Sequence, residues 1–268
     1  MTLRDDQRRR YARHLVIPEL GERGQEKLAA AGVLVVGAGG LGSPALYYLA
    51  AAGVGRLGVV DGDLVELSNL QRQILHTTAD VGRPKVASAA EKLRALNPDV
   101  TVVEHHVRVS ADSVLDLLAG YDVIVGAVDN FTTRYLLNDA CVLAGATLVE
   151  GAILRFTGLA MTIAGGRTAC YRCVFPAVPD DGALPSPAEA GVFGPVPGVI
   201  GAVQAAEVVK LVAGFGEPLF DRLLEFDAAA ATFHEVKVAR EPACPVCGER
   251  PAIRSPQDSM AAPRGGAS

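Results

Sequence analysis

Residues 33–42 read VLVVGAGGLG, an apolar run that passes directly into four closely spaced glycines. The apolar run predicts a buried strand over Val33–Val36, and the residues after it predict a helix over Gly40–Ala52. The glycines fit the spacing G-x-G-x-x-G: the first permits a tight turn, the second admits a phosphate close to the backbone, and the third lets the helix pack on the strand. The glycines predicted to bind a nucleotide are Gly37, Gly39, Gly40 and Gly42.

Apolar runs and helical patterns alternate from this segment onward. The later strands and helices predicted in the first part of the chain are Arg56–Asp61, Lys85–Leu96, Val100–Val107, Ala111–Leu118, Asp122–Val128, Asn130–Leu143 and Thr147–Ile153. This alternation predicts a parallel, doubly wound sheet. After about residue 155 the pattern changes to a strand at Phe156–Ala164 and a hairpin over Leu223–Ala239. The predicted fold class is therefore α/β, a Rossmann-like doubly wound mixed sheet with antiparallel C-terminal strands.

The rest of the chain predicts one folded domain over residues 1–250. Its predicted divisions are helices at 1–31 (Arg4–His14 and Gly21–Ala31), a nucleotide-binding half at 32–155 and a second half at 156–250, followed by a disordered tail at 255–268. Residues 176–198 contain six of the 16 prolines and predict a long loop, followed by a helix over Gly198–Ala213.

The composition excludes several classes of protein. The 268 residues are 50% hydrophobic, which excludes an intrinsically disordered chain, and five cysteines are too few for a fold built from disulfides. A net charge of −5 argues against a nucleic-acid binder. The stretch from Leu28 to Gly55 is uncharged, but its glycines and Pro44 argue against a membrane span. The N-terminal residues lack the apolar run of a secretion signal, which predicts a cytoplasmic protein with reduced thiols.

Acidic and basic residues accompany the glycine-rich turn. Asp61 ends the second strand, where a carboxylate can accept both ribose hydroxyls of an adenine nucleotide. ATP and NAD both remain possible at this point, as does a turn that binds nothing. Arg72 and Lys85 offer positive charge to a triphosphate, although solvated surface residues would look the same. Asp129 ends another strand at the same sheet edge and could bind Mg²⁺ beside a triphosphate, or cap the following helix instead.

Two C-x-x-C pairs stand 70 residues apart, formed by Cys170, Cys173, Cys244 and Cys247. Four thiolates complete the tetrahedral shell of Zn²⁺ and leave no position open for a substrate, so the pairs predict a structural zinc site with four cysteine ligands. A redox C-x-x-C is the alternative, but such a motif usually opens a helix after a strand. Cys141 lies in an apolar helix and is predicted to be a buried thiol.

Together these motifs resemble the MoeB/ThiF/HesA family, the bacterial relatives of ubiquitin-activating enzymes. The resemblance runs from about Arg10 to Gly248. The segments that carry it are Arg10-Tyr11-Ala12-Arg13, Gly37–Gly42, Asp61-Gly62-Asp63, Ser68–Gln73, Gly82–Lys85, Asp129-Asn130, Ala190–Pro195 and both cysteine pairs.

The resemblance implies an adenylyltransferase that activates the C-terminal glycine of a small ubiquitin-like sulfur carrier protein ending in Gly-Gly, with Mg-ATP as the second substrate. It implies that the residues around the ATP are Gly37, Gly39, Gly40, Gly42, Asp61, Ser68, Asn69, Leu70, Gln71, Arg72, Lys85, Asp129 and Asn130. The implied catalytic residues are Arg13, Arg72, Lys85 and Asp129. Arg13 would reach the nucleotide of the other subunit, which implies a homodimer. Residues 156–250 would bind the carrier, with the loop at 176–198 as a cover.

One departure from the family pattern concerns Pro187. Many relatives have a cysteine here, four residues before Gly191, and ThiF-like members can bond it covalently to the carrier. We therefore expect adenylation without a covalent carrier intermediate, and sulfur from a separate donor protein. The alternatives are a non-catalytic scaffold subunit, which would not need Arg72 and Lys85, and an NAD-dependent dehydrogenase, which would not need the cysteine pairs. The identity of the carrier and its pathway stay open.

Overall fold

Helices and strands alternate along the part of the chain that the computed structural model describes, residues 2–179, 190–262 and, as backbone only, 264–265. The helices in this part are α1 (Asp5–Arg10), α2 (Ala12–Leu15), α3 (Gly21–Ala30), α4 (Gly42–Ala52), α5 (Lys85–Leu96), α6 (Val114–Leu118), α7 (Phe131–Ala144), α8 (Tyr171–Val174), α9 (Pro195–Ala213) and α10 (Pro256–Ala261). The strands are β1 (Gly32–Val36), β2 (Arg56–Val60), β3 (Thr101–His105), β4 (Val123–Gly126), β5 (Thr147–Leu154), β6 (Thr157–Ala164), β7 (Val178–Pro179), β8 (Arg222–Asp227), β9 (Thr232–Lys237) and β10 (Arg264–Gly265).

The main sheet has the strand order β3-β2-β1-β4-β5-β6-β8-β9. The pairs from β3 to β5 are parallel, and those from β5 to β9 are antiparallel. This order confirms the predicted Rossmann-like mixed sheet. The chain runs outward from β1 to β3 and then returns to β4 on the other side of β1. Such a reversal leaves a crevice at the carboxyl ends of β1 and β4, where open α/β sheets bind ligands.

Both faces of the central strands of the sheet are buried under helices, whereas the outer strand β9 is exposed. Val33 and Val35 of β1 belong to a cluster with residues of α4, α5 and α9, whereas Leu34 and Val36 belong to a cluster with α6, α7 and the cysteine pairs. The alternation follows from the two-residue period of a strand. Because both faces are covered, β1 is apolar along its whole length and carries the glycine-rich turn at a fixed position.

The N-terminal helix ends earlier than predicted. The prediction was one helix over Arg4–His14, but Tyr11 interrupts it and separates α1 from α2. Tyr11 is 4% exposed, and its hydroxyl accepts a hydrogen bond from Nδ2 of Asn97 at 2.8 Å. This anchor to the helix end at Asn97 explains the break.

Helix α9 begins at Pro195, three residues before the predicted start at Gly198. Proline lacks an N–H group, but the first turn of a helix has no partner for those groups in any case. The helix is 19 residues long and apolar enough to cross a membrane, but half of the 18 residues in its most apolar stretch are buried inside the protein. Its Gln204 donates through Nε2 to the carbonyl oxygen of Gly126 at 2.7 Å, so α9 is part of the domain core.

The predicted long loop and tail are partly ordered. Within the loop at 176–198, β7 pairs with β10, while Pro187 and the rest of 180–189 lie outside the described residues. The tail predicted from Ser255 contains α10, in which Ser255 caps the helix by accepting from the N–H of Asp258. Ser259 of this helix donates to Oδ2 of Asp139 at 2.6 Å. This buried contact orders residues whose small, polar composition suggested disorder.

Candidate nucleotide pocket and metal centre

Many of the predicted nucleotide-binding residues surround one pocket at the carboxyl ends of β1, β2 and β4. The pocket has a volume of about 320 Å³. The predicted residues that line it are Gly37, Gly39, Gly40, Asp61, Arg72, Lys85, Asp129 and Asn130. They come from the segments that follow β1, β2 and β4, which the parallel strands bring to the same sheet edge.

The glycine-rich turn has no room for side chains at its first and last glycines. Gly37 has a φ of +106°, and a Cβ atom there would lie 2.4 Å from the carbonyl oxygen of Ala127. A Cβ atom on Gly42 would lie 1.9 Å from the carbonyl oxygen of Gly37. Gly42 is not among the described lining residues, so its part is to let α4 approach the strand. The turn thereby presents the N-terminus of an 11-residue helix to the pocket, an arrangement that binds anions.

Asp61 follows β2, and its carboxylate is bonded to the backbone. Its Oδ2 accepts from the N–H of Ala38 at 2.9 Å, and its Oδ1 accepts from the N–H of Asp63 at 2.9 Å. These bonds join the end of β2 to the glycine-rich turn and fix the orientation of the carboxylate. Each oxygen keeps a further lone pair, so Asp61 can still accept hydroxyl groups from a ligand.

Lys85 is the first residue of α5, and its side chain is only 8% exposed. A cation gains nothing from the helix dipole at this end, and a buried cation needs an anionic partner. Asp63 supplies one, with its Oδ2 3.4 Å from Nζ of Lys85, but its Oδ1 also accepts from Arg108 at 2.6 Å. Lys85 therefore shares Asp63, its only counter-ion among the described residues, with Arg108. Its charge can also pair with a second anion bound in the pocket.

Arg72 lies on another side of the pocket, after a short 3-10 helix over Leu67–Asn69. Its Nη1 donates to the carbonyl oxygen of Ser68 at 3.2 Å, and its Cγ packs beside Gly40. Four residues next to Arg72 were also predicted to bind the nucleotide, but they are not among the described residues that line the pocket: Ser68, Asn69, Leu70 and Gln71. Of the predicted residues in this segment, the structure brings Arg72 alone to the pocket wall.

Asn130, and not Asp129, caps α7. The Oδ1 of Asn130 accepts from the N–H of Thr133 at 2.9 Å, which removes helix capping as the explanation of Asp129. The Asp129 carboxylate is exposed at the pocket and accepts no hydrogen bond from the part of the protein that the structure describes. Carboxylate oxygens are the ligands that Mg²⁺ prefers, so Asp129 fits a metal bound beside an anion.

Two further polar side chains, one in the pocket wall and one buried against the glycine-rich turn, lie outside the predicted set. Gln73 is buried and lines the pocket beside Gly39, and its Oε1 has no partner among the described residues. A buried amide with an unpaired atom at a pocket wall fits a polar ligand. His76 lies 2.9 Å from the carbonyl oxygen of Ala38 through Nε2, and burial lowers its pKa. A neutral His76 thus donates a hydrogen bond to the glycine-rich turn. Gln73 could have been predicted, because it ends the segment Ser68–Gln73 that carries the family resemblance. No sequence motif marks His76.

A buried ion pair supports the pocket from behind. Arg134 donates through Nε to Oε1 of Glu150 at 2.8 Å, and through Nη2 to the carbonyl oxygens of Val128 at 2.7 Å and Gly151 at 3.2 Å. These bonds join α7 to the middle of β5 and to Val128, directly before Asp129. Burial raises the pKa of Glu150 to about 7, although the Arg134 charge acts in the opposite direction.

The structure does not place Arg13 at this pocket. Arg13 is exposed on α2 and is absent from the described lining residues. The next residue, His14, borders an apolar groove of about 530 Å³. The groove is lined by residues of α4 and α9 and by Phe215, among them Tyr48, Ala202, Ala205 and Val209.

The four cysteines of the C-x-x-C pairs meet at one point. The described sulfur–sulfur distances are 3.8 Å for Cys170–Cys173, 3.7 Å for Cys170–Cys244 and 3.3 Å for Cys173–Cys247. Tetrahedral Zn²⁺ with bonds of about 2.3 Å holds its sulfur ligands about 3.8 Å apart. The spacing and the all-thiolate donor set fit zinc, so the predicted convergence of the pairs is confirmed.

Arg172 anchors this cluster to the rest of the domain. It lies between the first two cysteines, is 2% exposed, and donates through Nε and Nη2 to the carboxylate of Asp139 at 2.9 Å and 2.8 Å. Asp139 belongs to α7, the helix that begins at the nucleotide pocket. The metal centre and the pocket are therefore attached to the same helix.

Comparison with known proteins agrees with this architecture. The model of the ThiF family matches residues 11–246. The sulfur carrier protein adenylyltransferase of Thermus thermophilus is 52% identical over 250 residues, which cover 91% of this chain and 92% of that protein. The SAMP-activating enzyme E1 of Haloferax volcanii is 52% identical over 240 residues, covering 90% and 88%. The crystal structure of Escherichia coli MccB with ATP has a TM-score of 0.80 at 25% identity, over 89% of this chain and 73% of that one. The chain therefore belongs to the ThiF family, as its motifs predicted.

Proposed function

We propose that this chain adenylates the C-terminal glycine of a small ubiquitin-like sulfur carrier protein that ends in Gly-Gly, using Mg-ATP and releasing pyrophosphate. The observation that carries the proposal is a single pocket in which an anion-binding turn lies beside the buried Lys85 and Arg72. The 52% identity to a sulfur carrier protein adenylyltransferase over nearly the whole chain supports the same reaction.

The pocket suggests a position for each part of ATP. The phosphates lie against Gly39, Gly40 and the first turn of α4, where backbone N–H groups and the helix dipole favour anions. The ribose hydroxyls donate to Asp61. Lys85 and Arg72 supply positive charge, and Asp129 would hold the Mg²⁺ that neutralises the phosphates further. Ser68, Asn69, Leu70 and Gln71 form the segment that carries Arg72, and Asn130 fixes the start of α7 beside Asp129.

The chemistry requires charge neutralisation more than proton transfer. A terminal carboxyl group has a pKa of about 3.5 and is ionised at neutral pH, so it attacks without a general base. Its oxygen forms a bond to the α-phosphorus, the bond to the bridging oxygen breaks, and pyrophosphate leaves with the electron pair. The obstacle is the approach of one anion to another, which Arg72 and Lys85 counter by position and charge.

We also propose that the enzyme is a homodimer in which Arg13 acts on the nucleotide of the partner subunit. Arg13 is exposed next to the apolar groove at His14, and a second copy seated on this groove would cover its alanine and valine side chains. Light scattering coupled to size exclusion tests this arrangement, because Tyr48→Glu in the groove should yield monomers. Dimers in this variant would contradict the proposed interface.

Sulfur would come from a separate donor protein, because Cys141 and the four clustered cysteines are committed to the core and the metal centre. The cluster needs reduced thiols, which agrees with a cytoplasmic location. A non-catalytic scaffold would have no use for a buried Lys85 facing an anion pocket. An NAD-dependent dehydrogenase has no support among the relatives.

The test is ATP–pyrophosphate exchange with small proteins that end in Gly-Gly. We expect exchange only with the correct carrier, and a loss on the order of 10²–10³ in rate for Arg72→Ala or Lys85→Ala, comparable to the removal of one preorganised donor. Arg167→Ala is the matched control, because Arg167 is exposed away from the pocket. Normal exchange in both pocket variants, or saturable binding of NAD instead of ATP, would refute the proposal.

A further inference from the structure

Arg108 is a pocket residue that the proposed reaction does not yet use. It follows β3 by three residues, and Val107, Arg108 and Val109 all line the pocket. The Arg108 side chain is 82% exposed, yet it is held in place, because its Nη2 donates to Oδ1 of Asp63 at 2.6 Å. Its Cγ also lies over the backbone of Gly62, 2.6 Å from where a Cβ atom would stand.

The position of Arg108 follows the order of the strands. The glycine-rich turn follows β1, Asp61 follows β2, and Arg108 follows β3, and these three strands are parallel neighbours about 4.8 Å apart. A nucleotide with its phosphates at the turn and its ribose at Asp61 has already crossed one strand spacing. Its base therefore lies beyond Asp61, at the end of β3.

We propose that Arg108 forms one wall of the base subsite and stacks its guanidinium plane on the purine ring. This inference rests on the proposed nucleotide site. The ion pair with Asp63 occupies an edge of the guanidinium and leaves its two faces available. A planar, weakly hydrated cation is well suited to stacking on an aromatic face. Val107 and Val109, the former 43% exposed, supply apolar surface on either side of it.

A second role for Arg108 has to be separated from stacking, because a guanidinium also binds phosphate. Stacking requires a base, whereas charge pairing requires only phosphates. Inorganic tripolyphosphate carries the phosphate charge of ATP without the nucleoside and distinguishes the two roles.

The test is isothermal titration calorimetry of the full chain with ATP and with tripolyphosphate. We expect Arg108→Ala to weaken ATP binding roughly 5- to 30-fold and to leave tripolyphosphate binding within about two-fold. Arg108→Lys keeps the charge but loses the plane, and should recover only part of the ATP affinity. In the exchange assay, Arg108→Ala should raise the KM for ATP and leave kcat unchanged.

Two outcomes would overturn the stacking role. Equal weakening of both ligands would make Arg108 a phosphate counter-ion, and unchanged ATP affinity would remove it from the site. Arg167→Ala controls for the loss of one exposed arginine. Arg72→Ala separates the two proposals: if it weakens ATP binding while Arg108→Ala does not, the nucleotide site stands and the base contact fails. If Arg72→Ala, Arg108→Ala and Lys85→Ala all leave the affinity for ATP unchanged, the proposed function itself fails.

Discussion

The buried pair of Glu150 and Arg134 makes the stability of this domain depend on pH in a direction that can be worked out. Burial raises the pKa of Glu150 from 4.5 to about 7. Between these values the folded protein keeps a proton that the unfolded chain has already released. The free energy of unfolding therefore falls as the pH rises through this window, and levels off above pH 7. At 1.36 kcal/mol per pH unit, the contribution of Glu150 reaches about 3 kcal/mol.

Glu150→Gln removes this titration and keeps an oxygen that can accept from Nε of Arg134. We expect the variant to gain stability relative to the wild type by about 2–3 kcal/mol between pH 5 and pH 8. Urea unfolding of both proteins across this range, in buffer with saturating zinc, measures the difference. Other titrating groups are common to both proteins and cancel in the comparison.

The opposite physical account predicts a different curve. If the Arg134 charge outweighed burial, Glu150 would be ionised throughout the range and the stability difference would stay flat above pH 5. A flat difference would thus refute the reasoning from burial. Glu217→Gln serves as the matched control for the loss of one carboxylate, because Glu217 is exposed and makes no contact with the Glu150–Arg134 pair in the described structure.

Other perturbations test the turn, the buried anchor and the metal centre. Gly42→Ala should destabilise the protein by about 1–3 kcal/mol and abolish ATP binding in calorimetry, because its Cβ atom would overlap the carbonyl oxygen of Gly37; normal binding would contradict the geometry. Arg172→Met should cost about 3–5 kcal/mol in urea unfolding, since it leaves the Asp139 carboxylate buried without its cation, and an unchanged midpoint would show that the pair is not needed. Cys247→Ser, or removal of zinc by a chelator, should lower the Tm and release about one zinc per chain in metal analysis; full zinc retention in the variant would contradict a four-cysteine site.

The parts of the site that could be predicted from the sequence are those marked by residues next to them in the chain, such as an apolar run or the start of a helix. The glycine-rich turn, Asp61 and Asp129 each come at the end of an apolar run that contains a strand, and parallel strands place such residues at one sheet edge. Lys85 was predicted to face an anion because a cation at the start of a helix is unfavourable. The structure shows that its side chain is also buried, so that it needs a counter-ion.

The parts that were missed depend on contacts between distant segments. Asp63 and Arg108 come together only because β2 and β3 are neighbours, and no motif marks Arg108. His76 acts through a carbonyl oxygen 38 residues earlier in the chain. The helix α10 was predicted as tail because the stretch from Ser255 is polar and rich in small residues, whereas the helix is held by the hydrogen bond from Ser259 to Asp139. Arg13 stays a prediction, since its proposed target belongs to another subunit.

The carboxylate of Asp139 has a consequence for where this domain ends. Arg172 comes to it from the first cysteine pair, and Ser259 from a helix that follows the last cysteine by nine residues or more. A chain cut after Gly248 would retain every residue proposed to act on ATP or to bind zinc, but it would open one side of this buried carboxylate to water. We therefore expect the stable folded unit to extend through Ala261, and shortened versions designed from the motifs alone should be less soluble and easier to digest with protease.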